Sequence, residues 1–165
     1  MKMFLSLLLI FSGNVQAFCF EAAGARYSID PLLLRAIATV ESRLNPKAIN
    51  HNRDKKTGEI LSTDYGVMQI NSVHIPGLRS AGIVSGYQDL LDNPCLNVQT
   101  GAWILARHFQ TCRINWNCLG SYNAGFKDRN DAIREAYANR VYRHYRRLMQ
   151  EERGIALSPG GPHAD

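Results

Sequence analysis

Four cysteines, Cys19, Cys95, Cys112 and Cys118, all lie downstream of an apolar N-terminal run in a chain of 165 residues. The run decides how the cysteines are read. Lys2 gives a small positive start, and Met3 to Phe11 is nearly all apolar. Ser12-Gly13-Asn14 breaks it, and Val15-Gln16-Ala17 places small residues before a cut. That is the layout of a secretory signal peptide over residues 1–17, cleaved after Ala17. The run is short for a membrane span. In an oxidising compartment an even cysteine count favours disulfides, and four cysteines allow three pairings. The expected pairs are Cys112–Cys118 as a local clasp and Cys19–Cys95 as a long staple; the alternative leaves one pair reduced. No CxxC pair is present and no His stands near at zinc-like spacing, so neither metal nor cofactor is expected.

The rest reads as one mainly α domain, residues 18–152, with a breaker-rich tail over 153–165 that is expected to be disordered. Phe18 to Tyr27 suits a short helix. Asp30-Pro31 is a cap followed by proline at the first helical position. Leu33, Ile37, Val40 and Leu44 then recur at helical spacing until Asn45-Pro46. Residues 47–65 are polar and turn-rich, with a turn expected at Lys56-Thr57-Gly58. They read as a loop or small irregular hairpin near 50–65. Asn93-Pro94 opens a helix with Val98, Ala102, Leu105 and Phe109 on one face. Another helix runs from about Ala132 to Gln150. It carries Arg134, Arg140, Arg143, Arg146 and Arg147, read first as a solvated face. The chain's net charge of +5 suits a polyanion, but no nucleic-acid motif accompanies it, so nucleic acid is not an expected partner.

Glu41 stands among apolar neighbours inside the 31–44 helix. Burial disfavours the ionised form, and a carboxylic acid that stays protonated can donate to a leaving oxygen. The bland alternative is a surface glutamate paired with Arg35 or Arg43.

Three further segments follow in order: Gly66-Val67-Met68-Gln69-Ile70-Asn71, Ser121-Tyr122-Asn123-Ala124-Gly125, and Tyr137-Ala138-Asn139-Arg140-Val141. Together with Glu41-Ser42 they resemble the motifs of the soluble lytic transglycosylase catalytic domain, with Ala138 where valine is commoner. The resemblance covers about Cys19 to Leu148. The leader and size resemble a small exported subgroup associated with type III and type IV secretion, conjugation and type IV pilus systems.

The resemblance implies a lysozyme-like (α+β) fold and cleavage of peptidoglycan between N-acetylmuramic acid and N-acetylglucosamine, with a 1,6-anhydromuramoyl product. It assigns Glu41 as the acid. It places Ser42, Gly66, Met68, Gln69, Asn71, Tyr122, Asn123 and Tyr137 around substrate or acid, with Ser42 expected to orient Glu41 and Met68 to floor the cleft. Asp64, two residues before Gly66, is a candidate second carboxylate; Asp54 and Glu59 share its loop. The expected setting is a periplasmic monomer whose partners are glycan strands and subunits of an envelope-spanning machine. The competing readings are a lysozyme-like hydrolase using Glu41 and Asp64, and a non-catalytic glycan-binding adaptor.

Overall fold

The computed structural model describes residues 18–154. The expected leader over residues 1–17, and residues 155–165 of the expected tail, lie outside the described residues; Arg153 and Gly154 form a turn after the last helix. The chain order is α1 Phe20–Tyr27, α2 Pro31–Ser42, β1 Ile49–Arg53, β2 Ile60–Tyr65, β3 Ile70–Asn71, α3 Ile75–Ser80, α4 Tyr87–Asp92, α5 Pro94–Cys112, α6 Trp116–Ala124 and α7 Asp131–Glu152. This is a helical domain with one small antiparallel sheet, as expected for the lysozyme-like class.

The long helices form where the sequence marks their starts. Asp30 Oδ1 accepts from Leu32 N at 2.8 Å, and Asn93 Oδ1 accepts from Leu96 N at 2.9 Å, each just before a proline. These side chains satisfy amides that have no partner within the helix. Helix α2 ends at Arg43, whose φ of 55° closes the turn back onto Ala38 and Thr39.

The core lies between α2, α5 and α7, where Leu34, Ile37, Val98, Leu105, Tyr137 and Val141 are all fully buried. Each large aliphatic contributes about 1.5–3 kcal/mol by leaving water. Helix α7 packs on both α2 and α6. The second contact depends on Gly120: a Cβ there would lie 2.3 Å from the Arg134 carbonyl oxygen, so a larger residue would force the two helices apart. Tyr145 donates to the free oxygen of the α2 cap, Asp30 Oδ2, at 2.5 Å.

Both expected disulfides are formed, Cys19–Cys95 and Cys112–Cys118. The first ties the start of α1 to α5. The second closes the turn between α5 and α6.

The polar excursion is better ordered than an irregular loop. Strand β2 lies between β1 and β3, both antiparallel to it. The turn sits at the expected position, where Asp54 Oδ1 accepts from Lys56 N and Thr57 N. Three short helices, α3, α4 and α6, are additions to the sequence reading.

The basic helix also needs a correction. Arg134 is buried, hydrogen-bonded to the Gly125 and Lys127 carbonyls and paired with Asp131. It anchors the segment between α6 and α7, while Arg140, Arg143, Arg146 and Arg147 stay exposed.

Candidate active site

Glu41 occupies the last turn of α2 and faces a cleft of about 460 Å³ between the sheet and the α6 end. The sheet wall is Asn52, Ser62, Asp64 and Asn71, and the helical wall includes Ser121, Tyr122 and Asn123. Gln69, His74 and His108 complete much of the rim.

The acid is held from beneath. Tyr137 is fully buried in α7 and donates its hydroxyl hydrogen to Glu41 Oε1 at 2.5 Å. Burial is the main influence on the carboxyl and raises its pKa from 4.5 to about 7. The Tyr137 bond opposes that shift, the negative charge of Asp64 adds to it, and Arg140 opposes it. About half of such a group is protonated near neutral pH, which suits a proton donor. Burial and the nearby Glu41 charge push the Tyr137 hydroxyl well above its usual range, so it remains a donor.

Asp64 is fixed by the sheet register. In β2 it stands opposite Asn71 of β3, while Asn52 of β1 stands opposite Ser62, two residues away on the same face. Asn71 Nδ2 donates to Asp64 Oδ1 at 2.7 Å and Asn52 Nδ2 donates to Oδ2 at 2.8 Å. Both amides also reach Ser62 Oγ. Each carboxylate oxygen is thus aimed by a neutral donor. Asp54 and Glu59 sit at the hairpin turn and do not line the cleft.

The segment Gly66–Gln69 is clamped from behind by a residue that sequence reasoning missed. Asn97 is fully buried in α5. Its Oδ1 accepts from Met68 N at 2.8 Å, and its Nδ2 donates to the Tyr65 and Leu90 carbonyls. Gly66 has φ +74°, and a Cβ there would fall 2.2 Å from Asn97 Nδ2. Gly66 therefore serves this turn and not the cleft surface.

Two other sequence expectations change. Ser42 does not orient Glu41: its Oγ donates to the Val67 carbonyl at 2.8 Å. Consecutive helix residues point about 100° apart, so residue 42 cannot share the face of residue 41. Met68 does not floor the cleft; its side chain is fully buried in the core. Its carbonyl, however, accepts the Tyr122 hydroxyl at 2.9 Å and so sets that ring. Gln69 lines the cleft with φ 49° and spends its Nε2 on the Gly66 and Ala48 carbonyls. Asn123 lines the cleft and is exposed.

Among the described residues, no group of three or more His, Cys, Asp and Glu side chains could hold a metal ion.

The model of the transglycosylase SLT domain family matches residues 18–144. The chain belongs to this family. The SLT match includes Glu41, Tyr137 and every residue that lines the cleft. Among its relatives is a protein named "Peptidoglycan-binding-like protein" from Escherichia coli O157:H7, 47% identical over 154 residues and spanning 93% of this chain and 92% of that one. "Invasion protein IagB" of Salmonella typhi is 39% identical, covering 85% of this chain and 84% of its own. "X polypeptide" of Escherichia coli is 40% identical over 94% of this chain and 89% of its own.

Proposed function

We propose that this SLT domain is an active peptidoglycan lytic transglycosylase that cuts the β-1,4 bond between N-acetylmuramic acid and N-acetylglucosamine. One observation carries the reading: Glu41 lies in a walled cleft with a pKa near 7 and a buried tyrosine holding its carboxyl. Glu41 gives its proton to the bridging glycosidic oxygen as the bond to C1 breaks. The resulting carboxylate then takes the proton of the muramoyl C6 hydroxyl, whose oxygen bonds to C1. Glu41 ends as it began, and the product carries a 1,6-anhydro ring with no water added. Attack from within the same sugar benefits from high effective concentration. Gln69, Asn71, Tyr122 and Asn123 are the residues best placed to position the sugars.

A second reading has its own support. Asp64 is aimed into the same cleft by two amides, as a carboxylate that stabilises positive charge at C1 would be. Two flanking carboxylates are the usual pattern of glycoside hydrolases, and water would then complete the reaction. Mass spectrometry of fragments released from purified peptidoglycan separates the two. Anhydro ends, one water lighter, support the transglycosylase. Reducing ends alone would replace it with the hydrolase.

The leader-like N-terminus and the cysteine pairs support a periplasmic location after a cut following Ala17, and the likeness to a protein named for invasion supports opening of the wall for an envelope-spanning machine. Fractionation of cells expressing the full chain tests the location: recovery from the periplasm agrees, and retention in the cytoplasm does not.

A further inference from the structure

The catalytic cleft does not end at its sheet and helix walls. His74 and His108 line it and also line a second cavity of about 320 Å³, so the two spaces meet at the imidazoles. Beyond that junction the walls are Trp103 and Arg107 of α5 and Phe126 after α6. The Arg107 guanidinium stacks on the Trp103 ring, 5.2 Å from its centroid. It forms no ion pair among the described residues. The stack limits where the charge can point while leaving its donors unused. His108 packs on Phe126 with ring centroids 4.7 Å apart. Its Nδ1 lies 2.8 Å from Ser121 Oγ, whose single hydrogen goes to the Cys118 carbonyl. Nδ1 must therefore carry a hydrogen, which leaves the acceptor of the neutral ring at Nε2. Burial is the main influence holding both imidazoles below their usual pKa; Arg107 adds to it at His74, and His74 and then Arg107 add to it at His108.

This extension combines one unpaired planar cation, an imidazole acceptor and aromatic walls. A neutral sugar ring would leave the cation unanswered. A peptide bearing carboxylates and amide N–H groups answers both the cation and the acceptor. We infer that the His74–His108 junction leads the peptide stem of a bound glycan strand into this side cavity, where Arg107 pairs with a stem carboxylate. The inference rests on peptidoglycan being the substrate and names the part of it that this surface reads.

The test uses binding, so it does not depend on turnover. Two strand preparations are made from one peptidoglycan, with stems intact and with stems removed by an amidase. The second retains a carboxylate only on the lactyl group beside the sugar. Affinity is measured for Glu41→Gln alone and combined with Arg107→Gln or Arg107→Lys. Arg107 is exposed, and unchanged melting temperatures verify folding. The expected result is about tenfold weaker binding of stem-bearing strands with Arg107→Gln, partial recovery with Arg107→Lys, and no change on stripped strands. Equal loss on both strands, loss on stripped strands alone, or no loss would each overturn the inference. So would failure to bind either strand. Retained stem preference without any bond cleavage by the wild type would instead overturn the catalytic reading and leave this one standing.

Discussion

Tyr137 and Glu41 stand 96 positions apart in the chain, and the Tyr137 hydroxyl is 2.5 Å from Glu41 Oε1. The contact joins α7 to the end of α2, so the packing of two long helices sets the direction of the acid. Tyr137→Phe removes the bond and keeps the ring. The hydrogen bond favours the ionised carboxyl, so its loss should raise the Glu41 pKa further above 7. The pH–rate profile should show its alkaline limb moved upward, with the maximal rate lowered about tenfold for one lost charge-assisted bond. An unmoved limb would contradict the assigned coupling.

Stability should carry the same signature. The Glu41 pKa is raised in the fold, from 4.5 to about 7, so the folded state binds the extra proton. Its contribution is fully present below about 4.5 and is lost as pH rises to about 7. The loss is at most about 3 kcal/mol for one such group. Glu41→Gln, which cannot ionise, should flatten this part of the curve and be the more stable form at pH 8. Denaturant unfolding across that range checks the sign.

Asp64 offers a contrast. Asp64→Asn keeps the shape of the carboxyl and removes its charge. If it only assists, the rate should fall by about 1–3 kcal/mol of transition-state stabilisation, well short of the Glu41 loss. Asn52→Ala should give part of the same effect, because it frees Asp64 Oδ2. Equal inactivation by Asp64→Asn and Glu41→Gln, with unchanged melting temperatures, would favour the two-carboxylate hydrolase.

The two disulfides should differ in weight. Cys19–Cys95 closes a separation of 76 residues and Cys112–Cys118 one of 6. The chain-entropy model gives about 4 and about 2 kcal/mol respectively. Replacing both cysteines of the long pair with serine should lower the melting temperature more than doing so for the short pair. The opposite order would show that native packing around the short clasp outweighs loop length.

Much of this arrangement was legible in the residues. Asp30-Pro31 and Asn93-Pro94 announce α2 and α5, because cap and proline act locally. The cysteine pairs followed from parity and spacing. Helices α3, α4 and α6 were not legible: the first two have 6 residues each, too few turns to establish a period, and α6 buries Cys118, Leu119, Gly120 and Ser121 in a row, with no apolar stripe at helical spacing. Asn52 was missed because only the β1–β2 register brings it beside Asp64. Asn97 matches no local pattern in the sequence. Its role appears only when the Gly66 turn is laid against α5. Arg134 shares its spacing with exposed arginines, and only the fold of the preceding segment buries it.

The central claim is that Glu41 supplies the proton for glycan cleavage. It is tested most directly by mass analysis of fragments released from purified peptidoglycan by the wild type and by Glu41→Gln under identical conditions. Gln keeps the size and the hydrogen bonding but has no acidic proton. General acid–base catalysis contributes about 10²–10⁴-fold, and here one group acts as both acid and base. The account predicts 1,6-anhydromuramoyl fragments from the wild type and only background release from Glu41→Gln, with the fold and strand binding intact. Release by Glu41→Gln at near the wild-type rate would contradict it.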